Sequence, residues 1–187
     1  MNSSTNHQIT IDCTDIILRE YRMEDLDPLH EITWQPEIFE YLPGWNVSKE
    51  MRADWLAHYE IPENNQFLQA VNEEEHVNQL RLRLAMVLKD SGEFIGWCCS
   101  GIKDELPEPN REIMFGISKN YRNKGYTTQA VKGMIDYLFH NTEIEELSAL
   151  ALLNNNPSNK VIAKCGFELK RVIEIDDEEY NYYKIYK

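Results

Sequence analysis

Basic residues, long apolar runs and paired cysteines are all scarce in this sequence. Of its 187 residues, 19 are Lys or Arg and 32 are Asp or Glu, which gives a formal net charge of −13. Nucleic acid is therefore not expected as a main partner, because binding its phosphates requires a basic face. The apolar runs are too short to span a bilayer, and the N-terminus lacks a basic stretch followed by an apolar one. We therefore expect neither a membrane partner nor a signal peptide.

The cysteines and histidines show no spacing typical of a metal site or a disulfide framework. None of the four cysteines forms a C-x-x-C pair, and the five histidines are scattered without an H-E-x-x-H pattern, so no metal is expected. Cys98 and Cys99 are neighbours in an apolar run and should point to opposite faces of a strand. We expect all four thiols, which include Cys13 and Cys165, to be free and buried in a cytoplasmic, reducing location. Cys165 as a nucleophile is the alternative, but its apolar neighbours favour a core thiol.

Apolar periodicity predicts one α+β domain that spans 1–187, with about the first nine residues loose. Helices are expected at 23–34, 36–42, 47–60 and 125–140, and from Asn156 to a stop at Gly166. Strands are expected at 11–21, in a hairpin at 80–102, and at 111–117, 146–153, 167–175 and 180–186. The strand 146–153 is apolar on both faces, as a buried parallel strand would be. Segment 62–79 fits either a helix or a loop.

The sequence also predicts how two of these helices begin. Ser48 is expected to cap the helix at 47–60, in which Met51, Trp55 and Leu56 share one face. Asn156 is expected to cap the helix that follows it, with Pro157 in the first turn.

A basic turn lies between the strand 111–117 and the helix 125–140, in the sequence KNYRNKGYTTQAVKGM. A tight turn into a helix presents unpaired N–H groups, and the helix dipole adds partial positive charge there. Arg122 and Lys124 add cations, and Gly125 permits close approach of a ligand. These features favour a phosphate site. Neither G-x-x-x-x-G-K-[ST] nor G-x-G-x-x-G is present, which argues against ATP and NAD. A positively charged helix start without a ligand is the alternative.

Three blocks of this sequence resemble the GNAT superfamily of acetyltransferases. EIMFGISKNYRNKGYTTQA resembles the strand and pyrophosphate loop, (Gln/Arg)-x-x-Gly-x-(Gly/Ala), with Thr127 in the last position of the loop. NPSNKVIAKCGF and IILREYRMEDLDPLHEI resemble blocks of the Rim-type branch, which acetylates the N-termini of ribosomal proteins. The resemblance implies a mixed, mostly antiparallel sheet that is splayed between two central parallel strands, with helices on both faces.

The resemblance further implies acetyl-CoA as co-substrate and a primary amine as acceptor. The pantetheine arm would pair with the edge of the strand before the loop. The pyrophosphate would lie on the loop amides and between the two cations. The candidate CoA-binding residues are Phe115, Gly116, Ile117, Arg122, Asn123, Lys124, Gly125, Tyr126, Thr127, Asn156 and Lys160.

Acetyl transfer to an amine requires a base, an oxyanion donor and a proton for the leaving thiolate. Glu112 is the candidate base, as the one acidic residue in an apolar strand; a solvent-facing glutamate on an edge strand is the alternative. A backbone N–H near Ile117 or Ser118 is the candidate oxyanion donor. Many GNAT enzymes use a tyrosine where this chain has Ile162, so Ser158 is the candidate acid. A plain first-turn serine is its alternative.

The acceptor site is expected among the early helices and the last hairpin. Its candidate wall residues are Trp34, Tyr41, Trp45 and Trp97, with core packing as the alternative, and Glu37, Glu40 or Asp176 could attract a cation. The acceptor would be a protein N-terminus or a small amine. Two other readings are a non-catalytic acyl-CoA-binding regulatory module and a purely structural domain. A monomer and a homodimer both remain open.

Overall fold

The computed structural model describes residues 8–187. They form eight strands and six α-helices. The strands are β1 (Thr10–Asp12), β2 (Ile16–Glu20), β3 (Leu82–Leu88), β4 (Phe94–Ile102), β5 (Arg111–Ile117), β6 (Glu146–Leu152), β7 (Glu168–Ile175) and β8 (Glu178–Tyr186). The helices are α1 (Leu26–Thr33), α2 (Pro36–Phe39), α3 (Lys49–Trp55), α4 (Ile61–Asn72), α5 (Tyr126–Asn141) and α6 (Asn156–Lys164). The prediction of a loose N-terminus lies almost entirely outside the described residues.

All eight strands belong to one sheet in the order β1-β2-β3-β4-β5-β6-β8-β7. Only β5 and β6 are parallel, and they share a single residue pair, Glu112 with Ser148. By contrast, β5 pairs with β4 over Arg111–Ile117, and β6 pairs with β8 along its whole length. The two central strands therefore diverge beyond Glu112. This confirms the predicted mixed sheet that is splayed between two parallel strands.

Helices cover both faces of the sheet, and each face has its own apolar core. On one face α4 and α5 pack residues such as Phe67, Val131 and Leu138 against Leu84 and Cys98. On the other face Leu29, Ile32 and Leu56 pack against Ala85 and Cys99. Cys98 and Cys99 thus lie on opposite faces, as strand alternation predicts, and all four cysteines are free. Cys13 is only partly buried, so the expectation of burial fails for that thiol.

The segment predicted as a single strand at 11–21 is a hairpin. Its two arms, β1 and β2, pair antiparallel, with Ile11 opposite Leu18. The connection is closed by the Cys13 amide, which donates to the Ile16 carbonyl at 3.0 Å. Asp15 is held from outside, because its amide donates to the Gln129 side chain at 2.9 Å.

The region from α3 to α4 departs most from the sequence pattern. The Ser48 hydroxyl accepts a hydrogen bond from the Met51 amide, so the predicted cap is confirmed. The predicted shared face is buried only in part, because Leu56 is fully buried but Met51 is 48% exposed, whereas Arg52, outside that face, is 1% exposed. A π-helical turn, Leu56–Glu60, joins α3 to α4. Pro62 follows it and has no N–H to continue regular α-helical bonding, which accounts for a widened turn at this point.

Candidate active site

A cavity of about 440 Å³ opens on the face of the sheet that carries α1 to α3. Its floor is formed by β3, β4 and β5, and its wall by α3 and the π-helical turn. The lining residues are Trp45, Arg52, Asp54, Trp55, Tyr59, Glu60, Arg81, Arg83, Cys99, Ser100, Gly101, Ile102, Glu112 and Met114. The volume and the mixture of aromatic and charged side chains suit a small polar molecule or the end of a peptide.

Glu112 lies on the floor of this cavity at the point where the sheet opens. It is opposite Gly101 on β4 and Ser148 on β6. Burial raises the pKa of its carboxyl from 4.5 to about 7; Lys103 opposes this rise and Glu105 adds to it. The alternative of an edge-strand glutamate does not hold, because β5 is an interior strand with neighbours on both sides.

The diverging strands leave backbone groups of β5 without a strand partner. The Ser118 amide donates to the Ile95 carbonyl at 2.9 Å, so of the two candidate oxyanion donors this one is already engaged. Antiparallel strands alternate the direction of their amides. The N–H groups of Phe115 and Ile117 therefore point away from β4, toward the opening between β5 and β6.

Gly116 is a glycine because Trp97 lies directly above it. A Cβ atom at Gly116 would lie 2.4 Å from Trp97 Cζ2, which no side chain tolerates. Trp97 is fully buried and stacks on Trp45, with ring centroids 5.3 Å apart. Gly116 therefore makes room for a tryptophan in the core. The pairing of β5 with β4 continues through this residue without a β-bulge.

The basic turn has the backbone geometry of an anion site. Asn123 and Gly125 adopt left-handed conformations, with φ of 62° and 82°, and Gly125 is the N-cap of α5 without a side-chain cap. The first amides of α5 therefore point out of the helix end without a capping side chain. Thr127 is 8% exposed, which explains why a small residue is needed there.

The two cations of this turn are placed differently from one another. Arg122 Nη2 donates to the Glu37 carbonyl at 2.8 Å, which ties the turn to α2. Lys124 is exposed, and its Nζ lies 5.3 Å from the centre of the Tyr121 ring. Lys124 is therefore the more solvent-accessible of the two, and Arg122 also has a structural role. The turn is joined to α2 a second time, because the Lys119 amide donates to the Gln35 side chain at 2.8 Å.

The start of α6 differs from the prediction in its cap. Asn155, and not Asn156, is the N-cap, and its side chain accepts from the Ser158 amide at 3.2 Å. Asn156 and Lys160 lie in the first turns of the helix on its outer side, and Ser158 is partly exposed. Ile162 is 1% exposed, so this position of the helix belongs to the core.

The sequence did not reveal Asn159, which joins α6 to the last hairpin. Its Nδ2 donates to the carbonyls of Leu152 and Asn155, at 2.9 and 2.8 Å. Its Oδ1 accepts from Asn181 Nδ2 at 2.9 Å and from the Tyr183 hydroxyl at 2.7 Å. Both ends of the amide are thus used in holding the C-terminal part of the fold together.

Only one of the four aromatic residues predicted for the acceptor site lines the cavity. Trp45 does, whereas Trp97 lies beneath it in the core. Trp34 is 49% exposed and its indole N–H donates to the Val47 carbonyl at 2.9 Å. Tyr41 is partly buried and lies away from the cavity lining.

Arg52 is a buried cation in the cavity wall, and no pattern in the sequence predicts its position. Its guanidinium carbon lies 5.6 Å from the centre of the Trp45 ring and 5.1 Å from that of Trp55. Arg52 Nη1 is 3.4 Å from Glu60 Oε1, and burial raises the pKa of Glu60. Glu60 Oε2 and Arg52 Nε are buried without a hydrogen-bond partner among the described residues. A buried cation on a helix that otherwise looks amphipathic cannot be recognised from spacing alone.

Neither a metal cluster nor a membrane-spanning helix is found within residues 8–187. No group of three or more His, Cys, Asp or Glu side chains in that range is arranged to hold a metal ion. No helix within it is long and apolar enough to cross a membrane.

The family of the chain is shown by comparison with known proteins. The model of the Acetyltransferase (GNAT) domain family matches residues 15–168, so the chain belongs to this family, as its motifs predicted. The uncharacterized N-acetyltransferase p20 of Bacillus licheniformis is 24% identical over 153 residues, which cover 82% of this chain and 79% of p20.

Solved structures share the fold at low identity. RimL, a ribosomal L7/L12 alpha-N-protein acetyltransferase in complex with coenzyme A, has a TM-score of 0.71 and 12% identity, with 95% of this chain and 98% of RimL covered. AAC(6')-Ib in complex with paromomycin and acetyl-CoA has a TM-score of 0.71 and 17% identity, with 93% and 94% covered. These similarities confirm the predicted fold.

Proposed function

We propose that the protein transfers an acetyl group from acetyl-CoA to a primary amine. Membership of the GNAT family supports the reaction class. The RimL and AAC(6')-Ib structures, with coenzyme A and acetyl-CoA bound, support the donor. The observation that carries the proposal is Glu112. Its carboxyl has a pKa of about 7, and it lies on the cavity floor at the apex of the strand divergence, where a thioester and an amine would meet.

The cofactor would occupy the opening between β5 and β6. Its pantetheine amides would pair with the free edge of β5 at Phe115 and Ile117. Its pyrophosphate would lie on the amides from Asn123 to Thr127, with Lys124 beside it. The left-handed turn at Gly125 and the uncapped start of α5 support this placement. The Ile117 amide remains the candidate donor to the oxyanion.

We propose direct attack in a ternary complex. Ammonium must lose a proton before it attacks, and a carboxylate with a pKa near 7 can accept that proton at neutral pH. An acetylated cysteine intermediate is disfavoured, because Cys99 is the thiol that lines the cavity floor and burial raises its pKa to about 12. Ser158 at the start of α6 remains the candidate for protonating the thiolate of CoA.

The function can be tested by thiol release from acetyl-CoA with a panel of amines and N-terminal peptides. We expect turnover with at least one amine, and initial rates whose double-reciprocal lines intersect, as a ternary complex requires. Parallel lines would indicate an acetyl-enzyme and would refute direct attack. Tight CoA binding by calorimetry without turnover on any amine would favour a non-catalytic acyl-CoA-binding module. Absence of CoA binding would refute both functions.

A further inference from the structure

Three arginines line the cavity: one on α3, one just before β3 and one within β3. They give it more positive charge than the acidic composition of the protein suggests. Arg52, Arg81 and Arg83 all line it. Arg81 and Arg83 belong to an alternating Leu-Arg pattern whose leucines, Leu82 and Leu84, are fully buried. The arginines therefore point to the cavity face, and the function proposed above gives them no role.

Of the arginines that line the cavity, only Arg81 lacks a carboxylate partner among residues 8–187, and the nearby Lys103 has one as well. Arg83 Nη1 lies 2.7 Å from Glu63 Oε2, and Arg52 faces Glu60. Lys103 Nζ lies 2.9 Å from Glu105 Oε1. Within residues 8–187, no carboxylate lies within ion-pair distance of the Arg81 guanidinium. Its side-chain hydrogen bond is a long one, from Nη2 to the Ile102 carbonyl at 3.4 Å.

The carboxylates of the cavity wall are correspondingly engaged. Glu60 lies between two arginines, because Arg83 Nε is 3.9 Å from its Oε1. Asp54 Oδ1 lies 3.0 Å from His58 Nδ1. A second cationic group on the acceptor would therefore have to compete with the arginines and the histidine that already contact these carboxylates. An anionic group could instead bind the guanidinium of Arg81, which has no carboxylate partner in the described part of the chain.

The position of Arg81 relative to Glu112 is fixed by the glycine between them. Gly101 is paired with Glu112 across β4 and β5. A Cβ atom at Gly101 would lie 2.8 Å from Arg81 Cγ and 3.1 Å from its Cδ, so the stem of Arg81 crosses the strand directly beside Glu112. The Arg81 amide donates to Glu63 Oε1 at 3.1 Å, which holds its backbone.

We propose that the acceptor is an amino carboxylate, whose amine faces Glu112 and whose carboxylate is bound by Arg81. The guanidinium presents a planar pair of N–H donors that matches a carboxylate. Arg81 is then a specificity-determining residue, and free amino acids or their close analogues are the substrate class. This inference rests on the proposed acetyltransferase function.

The test compares acceptor pairs in which a neutral amide replaces the carboxylate, such as leucine with leucinamide and phenylalanine with phenylalaninamide, with kcat/KM expressed per unprotonated amine because amidation also lowers the pKa of the amine. For the wild type we expect kcat/KM to be about tenfold to a hundredfold higher for the acid, as one charge-assisted contact supplies. In Arg81→Gln this preference should vanish, because the KM of the acid rises while the kcat and KM of the amide stay unchanged. Arg81→Lys should retain part of it. Arg22→Gln, an exposed arginine outside the cavity, is the matched control.

Two outcomes overturn the inference: equal or better use of the amide by the wild type, or equal losses for acid and amide in Arg81→Gln. A binding readout separates this failure from failure of the proposed function. Trp45 and Trp55 line the cavity, so tryptophan fluorescence of the CoA-loaded protein should report titration with leucine. Binding of leucine that depends on Arg81, without turnover, would uphold the carboxylate site and refute the enzyme. Turnover of amines without a preference for the acid would uphold the enzyme and refute the carboxylate site.

Discussion

Replacement of Glu112 by glutamine separates the proposed base from a structural glutamate. Glutamine keeps the shape of the side chain but cannot accept a proton at neutral pH. General bases contribute about a hundredfold to ten-thousandfold to the rate, so we expect kcat of Glu112→Gln to fall by that factor while CoA binding is retained. Glu174→Gln makes the same chemical change on an exposed strand residue and should leave kcat unchanged.

The pH dependence follows from the pKa of Glu112. Burial raises this pKa from 4.5 to about 7, so the carboxylate is half populated near neutral pH. Below that point kcat/KM should fall about tenfold per pH unit, because the fraction in the base form falls by that factor. In Glu112→Gln this inflection should be absent. A wild-type profile that is flat between pH 5 and 8 would refute the reasoning, as would full activity of the variant.

The same shift has a consequence for stability that does not depend on activity. Between pH 4.5 and about 7 the folded state binds more protons at Glu112 than the unfolded state does. The free energy of unfolding should therefore fall as pH rises through this range, by at most about 3 kcal/mol. Glu112 is partly exposed, which reduces this effect below its upper limit. We therefore expect the free energy of unfolding of Glu112→Gln to be about 1–3 kcal/mol higher than that of the wild type at pH 8 and equal to it near pH 4. Urea unfolding at the two pH values measures this.

Three further substitutions and one labelling experiment probe the rest of the site. Gly125→Ala forces a Cβ into φ of 82°; it should lower stability by about 1–2 kcal/mol and weaken CoA binding. Gly116→Ala should lower stability by about 1–3 kcal/mol in urea unfolding, because its Cβ overlaps Trp97. Arg52→Met should lower stability by at most about 3–5 kcal/mol, since it leaves the buried Glu60 carboxylate with only the more distant Arg83, 3.9 Å away, as an ionic partner. A thiol reagent should label Cys99 only on unfolding, because burial raises its pKa to about 12.

Each of these predictions has a matched control or a contrary outcome. Gly92 has φ of 72° and open space around it, so Gly92→Ala should lower stability without weakening CoA binding. For Gly116→Ala, adding Trp97→Leu should recover part of the loss; no recovery would mean that another contact is responsible. A stable Arg52→Met would show that Glu60 is protonated in the folded protein or that Arg83 alone compensates its charge. Rapid labelling of Cys99 in the native state would mean that the cavity floor opens.

Much of the fold was predictable because its strands and helices bury periodic apolar residues. Val131, Ile135 and Leu138 lie at helical spacing on one face of α5, and all three are buried. The hairpin β1–β2 was missed because neither glycine nor proline marks its turn, and because strands of three and five residues are too short to show separate alternation. Local pattern therefore identified the elements that carry a continuous apolar face and failed where an element is held by single tertiary contacts.

Helix α4 illustrates that limit. Its sequence is polar, yet Phe67 is fully buried and Asn64 is 1% exposed. Asn64 Nδ2 donates to the Arg83 carbonyl and its Oδ1 accepts from the Arg83 amide, both at 2.8 Å. The side-chain amide thus pairs with the end of β3 that extends beyond β2, as a neighbouring strand would. Such a contact depends on two segments that are 19 residues apart, and periodicity within either segment does not contain it.

The candidate site divides in the same way. The turn from Arg122 to Thr127 is contiguous, so its anion-binding character can be inferred from local backbone chemistry and family motif together. The acceptor cavity is assembled from α3, the π-helical turn and three strands, and its defining contacts join residues far apart in sequence. This is why Glu112 and Trp45 were found, as unusual residues in their own segments, whereas Arg52 and Glu60 were not.

The opening in the sheet follows from how the strands are paired. From Arg111 to Ile117, β5 is fully paired with β4, and Trp97 packed over Gly116 prevents these two strands from shifting. On the other side β6 is fully paired with β8. Each half-sheet is held together by its own antiparallel pairing, and one pair, Glu112 with Ser148, joins them. Closing the gap would require one whole half-sheet to move toward the other as a unit, so the opening should exist before any ligand binds. Its apex would then hold Glu112 in its partly buried position in the free protein, and the inflection near pH 7 should appear in kcat/KM, which reports the free enzyme.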